Sequence, residues 1–275
     1  IISDDSTNDE TEKIIKEKFI DDPRIKYFHN ENRLGRVGNY HHTLYEKATG
    51  DYVLNLDGDD WLLDPHYISE AVEVLNQHED VVCTIAGISY FHEDDKKIQE
   101  GNVSFEPLNF IDEGNKYLSL LAQRKVGFNH LTVLYRREEA LKLDFYSVDS
   151  TWTDSLSVLK LICGRKMAFF NKSVGVWRIH VNNESQKFYE TLSFNDLFFH
   201  DEYIASFYEK INGKTPTWLN ESLYHNMKHY SLFLLSEKNF LVFLKYMGFL
   251  IFQYPLFSLY SIPKFMGYIL LKIFR

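Results

Sequence analysis

The stretch Asp51-Tyr52-Val53-Leu54-Asn55-Leu56-Asp57-Gly58-Asp59-Asp60-Trp61 decides how this chain is read. Gly50 ends a helical pattern, and residues 51–56 read as a strand. Three carboxylates then crowd the strand's carboxyl end. In open α/β sheets, ligands bind just beyond that end. Like charges so close together repel, and a hard divalent cation bridging to phosphate oxygens offsets them well. Gly58 lets a backbone approach a ligand closely. A helix-loop-helix calcium site starting at Asp57 would need Gly at its sixth position and Glu at its twelfth. Leu62 and Ile68 stand there, so that reading fails. A solvated acidic turn, with Asp60 or Asp64 capping the next helix, is the structural alternative.

Working outward, strand and helix signals alternate. Upstream, Ser6-Thr7-Asn8-Asp9 is a capping cluster ahead of a helix that places Ile14, Ile15 and Phe19 on one face. Residues 24–29 read as a strand, Arg33-Leu34-Gly35 as a loop and 39–47 as a helix. Downstream, Asp64-Pro65 starts a helix, a capping carboxylate followed by proline at its first position. Ile68, Ala71, Val72 and Leu75 are its expected apolar stripe. Residues 81–91 form a long apolar strand, and 92–110 a polar excursion. A helix at 116–123, a strand at 127–135, an amphipathic helix at 152–163 and short strands at 167–170 and 174–177 complete the pattern. This rhythm argues for an α/β domain whose sheet is mostly parallel, with helices on its faces.

Whole-chain properties narrow the function. The 275 residues are 45% apolar and 25% charged, enough for a sizeable core. A net charge of -9 argues against nucleic acid as a partner, and a phosphorylated substrate would need a local cation. Cys83 and Cys163 each lie in an apolar run and read as reduced core residues, which fits a cytoplasmic location. Beyond about residue 190 the pattern is all-helical, giving expected regions 1–190 and 191–275. Residues 240–275 hold Lys245, Lys264, Lys272 and Arg275 but no acidic residue, leaving 26 basic and 39 acidic residues in 1–239, a net of -13. The uncharged run 246–263 is short of the roughly 20 residues a spanning helix needs, and Pro255 interrupts it. The expectation is peripheral contact with a membrane through 240–275, basic side chains meeting anionic headgroups. The alternative is packing of these aromatics on the main domain or in a dimer.

The ordered series of motifs resembles the family 2 glycosyltransferases. Ile1-Ile2-Ser3-Asp4-Asp5-Ser6-Thr7 is similar to that family's strand and turn at the nucleotide base. Asn30-Glu31-Asn32-Arg33-Leu34-Gly35 resembles its next loop, and Ala48-Thr49-Gly50-Asp51-Tyr52-Val53 running to Trp61 its central strand and Asp-x-Asp motif. The resemblance covers roughly residues 1–185. It implies a Rossmann-like GT-A domain with a mixed sheet, inverting transfer from a nucleoside-diphosphate sugar (a uridine diphosphate sugar first among them), and Mn²⁺ or Mg²⁺ as cofactor. The expected acceptor is a glycan or lipid-linked sugar in surface polysaccharide synthesis. By resemblance, Asp4 or Asp5 would bind the base, Asp57 would face the ribose and sugar and share in the metal site, and Asp59 would hold the metal on the diphosphate.

Two further segments enter on the same footing. Trp152-Thr153-Asp154 opens a helix where inverting members carry their carboxylate base. Asp154 is therefore the expected catalytic residue, with Asp149 its neighbour and competitor, and a carboxylate stabilising the helix start as the plain alternative. Val176-Trp177-Arg178-Ile179-His180 resembles the segment that closes over the diphosphate. Arg178 and His180 share one strand face, the first suited to phosphate, the second to metal or phosphate. Arg33 and Arg36 flank Gly35 in a loop on the donor side, where each meets phosphate or only solvent, Arg33 being the expected donor contact, and Asn129-His130 could line the acceptor cleft. Family members usually begin with a strand-helix unit ahead of Ile1, so the natural N-terminus is expected to lie upstream. That departure motivates the competing reading, a non-catalytic module that binds nucleotide or glycan. A phosphotransferase with an aspartyl nucleophile is disfavoured by Trp61.

Overall fold

The computed structural model describes residues 1–19, 21–101, 109–181, 183 and 193–273. It divides into two compact units, one of 1–115 with 127–179, the other of 116–126 with 180–275. The boundary expected at residue 190 lies outside the described residues, as does much of the polar excursion, 102–108.

In the first unit, β1 (Ile2–Asp4) pairs in parallel with β2 (Tyr27–His29), and α1 (Glu10–Lys18) lies between them in sequence. No residue of α1 is buried; Ile14 and Phe19 are exposed. Helix α2 (Gly35–His42) runs on through a π turn at Thr43–Lys47. Among the described residues the main sheet has seven strands, with a central path β3 (Tyr52–Leu54), β8 (Leu134–Arg136), β5 (Val81–His92), β9 (Lys166–Ile179) and β4 (Trp61–Leu62). β6 (Lys97–Glu100) adds to β5 and β7 (Asn109–Glu113) to β9.

The expected mostly parallel sheet is corrected to a mixed one. Among the described residues only β5 and β9 run parallel in it; the other ladders are antiparallel. The reason is that β8 enters between β3 and β5 against both, and apolar periodicity carries no strand direction. The expected strand at 127–135 is a 3₁₀ turn (His130–Thr132) followed by short β8, and the two strands expected at 167–177 are one strand, β9.

Helix α3 (Tyr67–Gln77) buries Tyr67, Ala71 and Leu75 against Val81, Ala86, Leu134 and Phe170, while Ile68 is exposed. The buried stripe therefore begins one position before the one expected. Asp64 accepts the His66 N–H at 2.9 Å and pairs with Lys172, tying the helix start to β9. α5 (Arg137–Lys142) follows β8, and α6 (Thr153–Ile162) is buried on nearly every side rather than amphipathic. Cys83 and Cys163 are both free and buried, and burial pushes both thiols up to about 12.

In the second unit, α7 (Asp196–Asn212), α8 (Leu219–Ser236), α9 (Phe240–Gln253) and α10 (Pro255–Ile273) share a core of Phe198, Met227, Tyr230, Leu234, Tyr246, Leu250 and Phe265. Helix α4 (Gly114–Ala122) starts in the first unit and continues in this one. Pro255 does not kink a helix. It opens α10, where its missing N–H and fixed φ suit the first position. Among the described residues no helix is long and apolar enough to cross a membrane.

Candidate active site

Asp5 organises the turn into α2. Its carboxylate accepts the N–H groups of Leu34 and Gly35, both at 2.8 Å, and the Asn30 amide at 3.0 Å. Helix α2 has no side-chain cap of its own, so Asp5, just beyond β1, satisfies its first donors. Gly35 supports this turn with φ +73°, a conformation other residues rarely adopt. Asp4 is buried and accepts from Tyr27 Oη at 2.7 Å and from the Ser6 N–H at 2.9 Å. Those bonds hold its carboxyl below the usual range although burial acts the other way. Asn39 ties α2 back to Ser3 through two hydrogen bonds. Arg33 lies 4.0 Å from Asp5 with its side chain 74% exposed. Arg36 donates to the carbonyls of Ser150 and Thr151 and lies over the Tyr40 ring at 5.6 Å.

The carboxylates of 57–60 follow β3 in a turn closed by Asp60 N–H to Asp57 O at 3.1 Å. Asp57 Oδ1 accepts Tyr40 Oη–H at 2.5 Å. Asp60 Oδ1 accepts the Arg178 N–H at 3.0 Å, which locks the turn to β9. Burial, together with the charges of Asp59 and Asp57, pushes the Asp60 carboxyl up to about 6, against the Arg178 N–H and His130. Asp59 is half-buried beside it. A side chain at Gly58 would meet no protein atom within 4 Å, so that space is open. The Arg178 guanidinium is engaged by Glu93 at 2.6 Å. His180 is the first residue of the second unit, and its N–H donates to Asn183 Oδ1 at 2.5 Å.

Asp154 sits in the first turn of α6, its side chain 19% exposed, and His130 Nδ1 is 2.9 Å from its Oδ2. The other ring nitrogen, Nε2, lies 3.6 Å from Asp57 Oδ2. One imidazole thus stands between two carboxylates 97 positions apart in sequence. Burial alone would lower the His130 pKa, but the Asp154 hydrogen bond and the charges of Asp154, Asp57 and Asp60 raise it overall. Burial alone would raise Asp154, but His130, with Arg36 behind it, lowers it overall. Both shifts favour the ion pair. Asp149, the competitor, is exposed.

The structure therefore brings Asp57, Asp60, Asp154 and the Arg178 backbone into one cluster, with Asp4 and Asp5 in the framework beside α2. Tyr40, Glu93 and the bridging role of His130 had no local signature. Each depends on a contact between distant positions. Among the described residues, no three His, Cys, Asp or Glu side chains gather as a ready metal site.

A model of glycosyl transferase family 2 matches residues 1–141. The chain belongs to glycosyltransferase family 2. This glycosyltransferase chain is 44% identical over 64 residues to the Campylobacter jejuni GalNAc(5)-diNAcBac-PP-undecaprenol beta-1,3-glucosyltransferase, 23% of this chain and 20% of that one. It is 25% identical over 245 residues to EpsH of Bacillus subtilis, a protein named as a glycosyltransferase, 86% of this chain and 68% of that one. It spans a fifth of the Campylobacter relative and 55% of a Mycobacterium tuberculosis relative, Rv1520, to which it is 26% identical over 199 residues. Staphylococcus aureus TarS (residues 1–349) superposes with a TM-score of 0.52 at 16% identity, covering 83% of this chain and 69% of that one. GalNAc-T7, crystallised with UDP, GalNAc and Mn²⁺, gives 0.50 at 17% identity over 75% and 43% of the two chains. At such identities these structures support the fold, a GT-A domain with a mixed sheet.

Proposed function

We propose that the chain transfers a sugar from a nucleoside-diphosphate sugar to an acceptor hydroxyl with inversion, and that Asp154 is the base. The observation that carries this reading is the placement of Asp57 and Asp154 on opposite sides of the His130 ring. A carboxylate held ionised on a buried helix start can take the acceptor's proton as the hydroxyl attacks the anomeric carbon. Asp57, oriented by Tyr40, faces the donor's ribose and sugar. Asp4 and Asp5 hold the strand end and the 30–35 loop where the base would lie. Arg33 and Arg178 are the cations for the diphosphate, Arg178 after exchanging Glu93 for phosphate.

The donor set fits a hard divalent ion completed by substrate. Asp59 and Asp57 offer carboxylate oxygens, fewer than a closed protein site needs, and Mg²⁺-type sites commonly use one or two carboxylates plus substrate phosphates. When bound, Mn²⁺ or Mg²⁺ would stabilise the negative charge of the leaving diphosphate.

The acceptor is proposed to be lipid-linked, as the name of the Campylobacter relative states for that protein. The helical unit supports a peripheral membrane contact. Phe252 (87%), Leu256 (83%) and Leu259 (76%) stand exposed at the junction of α9 and α10 and beyond it, in a segment without acidic residues. Such a surface suits the headgroup boundary of an anionic bilayer. Lys264 lies 4.1 Å from the Tyr224 ring, so part of its charge serves the unit itself.

Calorimetric titration of uridine diphosphate with and without Mn²⁺ tests the donor site. Manganese-dependent binding, abolished in Asp59→Ala, is expected. Transfer activity that persists in Asp59→Ala and Asp154→Asn would overturn the proposal, and binding without turnover would favour a non-catalytic module.

A further inference from the structure

His130 carries an inference that rests on the reading of Asp154 as base and deepens it. Its backbone is unusually well fixed. Asn129 Oδ1 caps the 3₁₀ turn by accepting the Leu131 N–H at 3.0 Å. Leu131 and Thr132 are fully buried. Thr132 Oγ1 donates to the Ala86 carbonyl on β5 at 2.7 Å, and Tyr67 Oη donates to the Thr132 carbonyl from α3. On the other side, any side chain at Gly175 of β9 would collide with Leu131, so the glycine admits the turn at this depth. Two strands and a helix thus aim one ring.

Both nitrogens of that ring point at carboxylates. Nδ1 is at hydrogen-bond distance from Asp154, while Nε2 is buried without a hydrogen bond and faces Asp57 at 3.6 Å. A buried polar nitrogen left unsatisfied needs a reason. Catalytic hydrogen bonds are often long before substrate arrives and shorten in the complex. A small inward shift of Asp57 on donor binding completes this one. Without the imidazole, two carboxylates would face each other across the gap and repel.

We propose that His130 is a positioning residue that sets the base against the donor, holding Asp154 through Nδ1 and meeting Asp57 through Nε2. It touches neither reacting atom. Its work is to fix the distance and direction between the carboxylate that meets the sugar and the one that takes the proton, as supporting shells do in well-ordered sites.

The side-chain amides separate the two contacts. In His130→Asn the amide nitrogen stands near the place of Nδ1; in His130→Gln it stands near Nε2; His130→Leu removes both. With the full chain, kcat is expected to fall about 100-fold in His130→Leu, while the dissociation constant for uridine diphosphate with Mn²⁺ stays within about threefold because positioning acts on the transition state. His130→Asn should recover about tenfold over His130→Leu, and His130→Gln should not. If His130→Leu does not fold, the Asn and Gln variants decide, and equal or reversed order overturns the inference. So does an unchanged kcat, or a loss of nucleotide binding that matches the loss of kcat in every variant. Should the wild-type chain show no turnover, the base reading fails by itself. Crystal structures of the wild type and His130→Asn and →Gln variants then judge His130 separately: a displaced Asp154 carboxylate in Gln but not in Asn supports positioning, and an unmoved one in both refutes it.

Discussion

The two compact units place different weight on their aromatic side chains. In the α/β unit the tyrosine hydroxyls have directional tasks: Tyr27 binds Asp4, Tyr40 binds Asp57, Tyr67 binds the Thr132 carbonyl and Tyr135 meets Tyr146. In the helical unit the rings pack on one another. Tyr246 meets Phe194 and Tyr230 at 5.2 and 4.9 Å, and Phe198 meets Tyr254 at 5.0 Å. Others remain outside, Phe252 among them. Ring packing occurs in both units, as between Tyr67 and Phe170, and the α/β unit adds hydroxyl bonds that hold Asp4, Asp57 and the Thr132 carbonyl. The difference is physical. A hydroxyl bond fixes direction and loses strength quickly when misaligned, whereas burial of apolar area is non-directional.

The largest expected effect bears on the α/β unit. Asp154→Asn should lower kcat by about 10³, with nucleotide affinity measured by calorimetry unchanged and partition onto vesicles unchanged. A fall in vesicle binding would break the division of labour. The converse variant, Phe252→Glu/Leu256→Glu/Leu259→Glu, should lower partition onto phosphatidylserine-containing vesicles by about 100-fold, because shallow insertion at the headgroup boundary realises only part of the roughly 1.5–3 kcal/mol that full burial of each apolar side chain is worth. Co-sedimentation measures it, and nucleotide binding should be untouched. Equal sedimentation of variant and wild type would remove the lipid role.

A smaller effect tests rigidity around His130. Gly175→Ala forces Leu131 to move, and overpacking typically costs about 1–3 kcal/mol. Denaturant melts should show that loss together with a reduced kcat. Stability lost with full kcat retained would show that the turn's seat is not critical.

The smallest effect separates the units by pH. Burial, with Arg124 and then Lys228 adding to it, holds His225 of α8 below its ordinary value. The folded helical unit then binds this proton less readily than the unfolded chain. The contribution is complete above pH 6.5 and shrinks as pH falls through that value. His130 has the opposite sign. Its raised pKa contributes stability below 6.5 that is lost as pH rises through the folded value. Melts between pH 5 and 8 should show His225→Gln flattening the acid side. An acid limb unchanged in that variant would assign the dependence elsewhere.

Much of the architecture was legible before any coordinates. The carboxylate turn after β3, the buried cysteines and the larger elements (α1, α2, α3, β5 and α6) follow from local patterns of burial and capping, while the short elements β4, β6, β7 and α5 carry too few residues to show a period. On α3 the expected Ala71, Val72 and Leu75 do face the core, and only the first member of the stripe differs: Tyr67 and Ile68 are both apolar enough to fill it, and packing selects Tyr67. Strand direction was misread because alternation looks the same from either end.

The sequence by itself singled out the candidate carboxylates. Asp57, Asp59 and Asp154 are carboxylates at element ends, where charge can be tolerated and ligands can reach. Only the tertiary structure decided their relations. It made Asp5 a remote helix cap, gave Arg178 to Glu93, and set His130 between Asp57 and Asp154. Those contacts join residues dozens of positions apart. Neither the 3.6 nor the 2.0 periodicity reaches across such a separation; only chain closure brings those atoms within hydrogen-bond range.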